Sequence, residues 1–158
     1  MTQTIDTADR IAVGLAAGLV GTALMTLSQK AEMALTGRPE STTPAKAVEQ
    51  VSGVALKDET AEKRASVPVH WAYGTALGTA LAGLEPLPTA ARTPAFFGLA
   101  WGSGAALLSR LRLAKPPADQ DGRELAIDLG HHLVYATGAS LAYALGTRWL
   151  AQRRAAAA

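Results

Sequence analysis

Four stretches of the chain carry no Asp, Glu, Lys or Arg: residues 11–29, 65–84, 93–109 and 129–147, of 19, 20, 17 and 19 residues. All 28 charged residues lie between or outside them. A soluble helix shows charge on its wet face at nearly every turn, and here none recurs. At about 1.5 Å per residue the stretches span roughly 26–30 Å, the hydrocarbon thickness of a bilayer. The pattern predicts an all-α, polytopic membrane protein: four transmembrane helices in a compact bundle. The helices are expected at about residues 10–35, 67–84, 93–113 and 123–152, within a single domain. The alternative is a soluble Ala-rich bundle. Each stretch is only mildly hydrophobic, which favours helices that shield one another.

The breaks between the stretches are explicit. Asp9 is a candidate N-cap for the first helix, and Gly37-Arg38-Pro39 ends it. Residues 38–64 form a polar connector. Within it, Thr43-Pro44 starts a short amphipathic helix with Val48 and Val51, stopped at Gly53. Residues 57–64 (KDETAEKR) read as a solvated helical extension. The connector reads either as a cap over the bundle or, as we prefer, as a segment lying on the membrane surface. Glu85-Pro86-Leu87-Pro88 makes a tight turn, and residues 115–122 (KPPADQDG) make a loop.

Small residues recur at four-residue spacing: Gly14 and Gly18, Gly74 and Gly78, Gly98 and Gly102, with Gly138 on the last helix. This spacing lets helix backbones approach closely, the main packing device in lipid. Gly14, Gly18, Gly21, Met25, Ser28 and Glu32 make one stripe. Gly18→Leu or Gly102→Leu is expected to damage folding more than any histidine substitution. The chain also hints at a duplicated helix hairpin: GLAAGLVGTAL (14–24) resembles GLAWGSGAALL (98–108), and HWAYGT (70–75) resembles HLVYAT (132–137).

Composition narrows the function classes. There is no cysteine, so there is no disulfide and no thiolate metal site. A net charge of +2 gives no case for nucleic acid. The first ten residues are a poor signal-peptide start, so the first helix is expected to be retained. Ten Lys and Arg fall on the side of the long connector and five on the other, a count that puts both termini outside. Arg148, Arg153 and Arg154 pull the other way. Trp71 and Trp149 lie near helix ends, as interfacial anchors do.

The chemistry gathers at one end. On the last helix, Asp128, His131/His132, Tyr135, Gly138, Ala142 and Gly146 fall on one side, opposite Leu129, Leu133, Leu141 and Leu145. If the second and fourth helices run the same way, His70 and His132 enter at similar depth. Each is followed three residues later by a tyrosine, Tyr73 and Tyr135. Glu32 sits at the same end. Three readings stay open. Asp128, His131, His132, His70 and Glu32 can form a proton or ion site, since imidazole changes charge near neutral pH. His70 and His132 can be the axial ligands of a b-type haem, or a His/Asp pair can bind a divalent metal. Or the residues are interfacial and only hydrogen-bond neighbouring helices. No zinc-protease motif, phosphate loop or nucleophile elbow is present.

The layout resembles a known family. Its elements are a Gly-rich charge-free first helix, the RPESTTP segment (38–44), a helix opening on His70, a Pro-Pro loop, and a last helix reading E-x-x-x-D-x-G-H-H-L-V-Y from Glu124. Together these look like the YagU-like family of bacterial inner-membrane proteins. The resemblance implies an integral inner-membrane protein without an established enzymatic role, and it transfers no site residues.

The expected protein is therefore a non-enzymatic, multi-pass protein of a bacterial cytoplasmic membrane with no required cofactor. Its partner is the lipid bilayer. Spare small-residue faces suit a homo-oligomer or a larger membrane complex. A proton- or ion-linked role through the His/Asp cluster leads. A haem-binding electron-transfer subunit and a structural subunit are the alternatives.

Overall fold

The computed structural model describes residues 5–157. Its order is α1 (Thr7–Thr36), α2 (Thr43–Ser52), α3 (Glu59–Leu77), a single turn α4 (Ala80–Gly83), α5 (Thr89–Arg110) and α6 (Gly122–Ala157), with a 3₁₀ turn at Pro117–Asp119. The described chain is all-helical, with no strand.

Local chemistry sets most of the boundaries. The Asp6 carboxylate, rather than Asp9, caps α1 by accepting the Asp9 backbone N–H at 2.8 Å. Gly37 and Gly53 end α1 and α2 in the left-handed conformation, at φ 72° and 73°, which glycine adopts without a Cβ clash. α3 begins well before residue 67. Asp58 caps it by accepting the Ala61 N–H at 2.8 Å, and Glu59 and Glu62 favour its positive end. The charged segment 59–64 is thus the start of the helix itself. The expected helix over 67–84 is interrupted after Leu77. There the ladder tightens, with Thr79 N–H donating to Ala76 O and Leu81 N–H to Gly78 O, before α4 resumes.

α1 and α6 are the central pair. They run antiparallel: Asp9 pairs with Arg154, Gly21 faces Ala139 and Tyr135, Leu24 covers Gly138, and Ser28 meets His131. α3 packs antiparallel on α1, α5 packs on α6, and α2 lies against α3. Two ends are polar. At one, Arg10 pairs with Glu85, Tyr143 donates to Glu85 at 2.7 Å, and Arg92 donates to the backbone carbonyls of Glu85 and Leu87. At the other lie Glu32, Arg38 and the histidines.

The α1–α3 contact is a backbone contact. A methyl built on Gly18 would sit 2.5 Å from Thr75 O and 2.6 Å from Gly74 O. Gly14 and Gly78 are equally crowded. Glycine is required at these positions because the neighbours are backbone and cannot give way.

Packing is inverted by size. The interior is Gly14, Ala17, Gly18, Thr22, Gly74, Ala100, Ala136 and Ala139, with Met25, Leu81, Phe96, Tyr135 and Tyr143 as its large members. The large aliphatics face outward: Leu27 is 64% exposed, Leu141 60%, Leu145 55% and Leu133 53%. Among the described helices, α1 alone is long and apolar enough to cross a membrane by length and composition. In the others, Gly, Thr, His and Tyr dilute the charge-free stretches, and α3 opens on charged residues.

Two expectations change. Gly98 and Gly102 are at no close approach, since a methyl on either meets nothing within 4 Å. They lie on α5, which contacts α6 along its Phe96 and Trp101 side. The packing of the two hairpins therefore does not repeat, although their sequences echo each other.

The pair gives a direct measurement. Gly18→Ala is expected to destabilise the protein by about 1–3 kcal/mol through overpacking. Gly102→Ala is expected to be neutral or to gain up to about 1 kcal/mol of helix propensity. Thermal unfolding of both variants in detergent checks this, and equal losses would contradict the packing described.

Candidate functional site

Asp128 and His132 are four residues apart on α6, so they share a face. The His132 Nδ1 lies 2.9 Å from Asp128 O and 3.2 Å from Asp128 Oδ1. Both partners are acceptors, so Nδ1 carries the proton and, in the neutral ring, Nε2 holds the lone pair. The other carboxylate oxygen, Oδ2, accepts the Trp101 indole N–H at 2.8 Å. Asp128 thus orients His132 from one side and is held by α5 from the other.

His70 joins this group. α3 and α6 are both antiparallel to α1, hence parallel to each other, so the two histidines enter at the same end. Both line a cavity of about 550 Å³, with Asp128, Tyr135 and Thr22. The Nε2 of His70 is buried without a partner. Tyr135 does not face the imidazoles with its hydroxyl. It donates to Gly74 O at 2.7 Å, tying α6 to α3 where that helix meets α1. Tyr73 is half-exposed, and its hydroxyl lies 3.0 Å from Ser103 Oγ on α5.

His131 and Glu32 belong elsewhere. Adjacent residues on a helix point about 100° apart. His131 turns into the α1–α6 contact, where its Nδ1 sits 2.9 Å from Ser28 Oγ. Its Nε2 is 3.9 Å from Glu32, beyond hydrogen-bond range. Glu32 is held by Arg38, at 2.8 and 3.1 Å, and by the Thr36 hydroxyl at 2.9 Å. Its carboxyl lies below the usual carboxylate range, chiefly through the Arg38 hydrogen bonds. The single cluster expected at this end is therefore two sites. One is Asp128–His132–His70 at the cavity. The other is His131–Ser28 with Glu32–Arg38 at the helix contact. Gly138 is in the second contact surface, under Leu24.

Three participants were not legible beforehand. Trp101 gave only one signal, an indole in mid-helix within a charge-free stretch. Thr22 lines the cavity while donating to Gly18 O at 2.8 Å. α2 also lines the cavity, through Pro44, Ala47, Val48 and Val51. Ala45 is buried against α3, its N–H donates to Ser66 Oγ at 3.2 Å, and Lys46 lies 3.6 Å from Glu62. Among the described residues no group of three or more His, Asp or Glu is gathered as a metal ion requires.

No family model, curated protein or solved structure matches this chain.

Trp101→Phe removes the donor to Asp128 and should cost about 1.5 kcal/mol, the scale of a hydrogen bond to a charged group. Chemical denaturation in detergent reads this, and an unchanged midpoint would mean the bond contributes nothing. Glu32 predicts an acid dependence. A lowered carboxyl stabilises the fold above the ordinary range near about pH 4.3 and loses that contribution as pH falls through the lowered value. Arg38→Ala should flatten the acid limb of a stability–pH profile, and an identical limb in both proteins would exclude the clamp.

Proposed function

We propose that the chain is a small polytopic inner-membrane protein whose four long helices cross the bilayer together, with a proton-linked rather than enzymatic role. The inverted size order supports the placement. Small residues line the interior, where backbones touch, and Leu and Val cover the outside between two polar ends. In water this arrangement would expose a broad apolar belt. In lipid it is the expected packing.

One observation carries the functional half: an Asp–His pair, with a second histidine, on the wall of a largely apolar cavity. Ionisable groups on an apolar wall at the end of a membrane bundle are costly, and they suggest function. With His132 neutral, the pair carries one negative charge. Proton uptake at Nε2 makes it neutral overall. The pair can therefore load and release a proton without leaving net charge in its loaded state.

Histidine NMR of the protein in nanodiscs between about pH 5 and 8 tests this. Asp128→Asn should change the titration of His132, its hydrogen-bonded partner, more than that of His131. A His132 signal that is flat over the range, or a His131 response of equal size, would remove the proton reading. A Soret band that sharpens on reduction would replace it by a haem protein ligated by His70 and His132. The absence of native cysteine makes the placement testable as well. Leu141→Cys should resist a water-soluble maleimide in membranes, whereas Lys57→Cys should react. Equal labelling would take the bundle out of the bilayer.

A further inference from the structure

The cavity has a composition that selects a ligand. Its walls are mostly apolar, from α1, α2, α3 and α5, and its ionisable groups are Asp128, His132 and His70 with the phenols of Tyr73 and Tyr135. A volume of about 550 Å³ is in the range of small-molecule sites. Two of its wall residues, Val51 on α2 and Leu107 on α5, are 72% and 43% exposed, so the mouth is apolar and reaches the outer surface.

The hydrogen-bond inventory defines the head group. Both oxygens of Asp128 are engaged, by Trp101 and by His132. Nδ1 of His132 donates to Asp128, so its free ring nitrogen, Nε2, is an acceptor in the neutral ring. A head group that donates one hydrogen bond fits. A carboxylate would meet the Asp128 charge. An ammonium would bring a further charge onto a mostly apolar wall at a desolvation cost, beside a carboxylate already bonded by Trp101 and close to His132.

We propose that this cavity binds a membrane-soluble amphiphile with a neutral hydroxyl head, entering between α2 and α5, with the hydroxyl donating to Nε2 of His132. The inference rests on the reading of Asp128–His132 as a site with Nε2 open. Aliphatic and phenolic lipids share the required chemistry.

The test is thermal unfolding of the full chain in detergent with 1-decanol, 4-octylphenol, decane, decanoate or decylammonium. A ligand that binds only the folded state raises the melting temperature. Either hydroxyl compound should raise Tm by a few degrees more than decane, and whichever gives the larger rise identifies the aliphatic or phenolic source. Gly104→Leu provides the control. Gly104 lines the cavity, and a Cβ there meets nothing within 4 Å, so a larger side chain at this wall position starts in open space. The variant should fold and lose the shift, and His132→Phe should lose it by removing the acceptor. A shift with decane as large as with the alcohols would overturn the proposal. So would a shift kept in Gly104→Leu, or a larger one with decanoate or decylammonium. The histidine titration is read without any alcohol, so failure there and failure here are separate results.

Discussion

The contact between α1 and its two neighbours sets the geometry of everything else. Gly14 and Gly18 bring the α1 backbone against Gly74, Thr75 and Gly78 of α3, while Gly21 lies under Tyr135 and Ala139 of α6. On the α3 side, backbone meets backbone at Gly14, Gly18 and Gly78, and the Thr22 side chain packs against Gly74. With so little space, polar groups at the contact must satisfy themselves locally. Thr22 donates back into its own helix, and Tyr135 crosses to the Gly74 carbonyl. The Tyr135 bond ties α6 to α3 at one depth, and so sets the height of Asp128 and His132 against His70.

The same constraint explains why the largest side chains are outside. Close backbone approach leaves little interior room for leucine: Leu81 alone among the described leucines is buried, beside Met25, Phe96, Tyr135 and Tyr143. In a bilayer, apolar burial between helices gains little, since lipid tails are as apolar as leucine. What holds such helices together is contact density between backbones, with many small dispersion terms. The ion pairs at the far end, Arg10–Glu85 and Arg154–Asp9, close the bundle without entering it.

The consecutive histidines do two jobs because a helix separates neighbours by about 100°. His131 is spent on the α1–α6 contact with Ser28. His132 turns to the cavity, where Asp128 fixes its tautomer and Trp101 fixes Asp128. α2 then encloses the space above them. A short segment of the connector thereby converts an open helix groove into a cavity.

The sequence by itself determined the helical class, the four charge-free stretches and the helix ends at Gly37 and Gly53. These depend on local rules: left-handed glycines at Gly37 and Gly53 and prolines in the turns. It also determined the α1 stripe through Gly18, and the face shared by Asp128 and His132, because helical periodicity alone places them. Tertiary structure decided which glycines matter. Gly18 and Gly102 look alike in sequence, yet only the first meets another backbone. It decided that Glu32 and His131 leave the cluster, since that depends on the rotation of α6 against α1. It also decided that Trp101 and α2 join the site. Partners 27 residues apart, such as Trp101 and Asp128, are brought together by helix packing, and no spacing rule along the chain encodes that meeting.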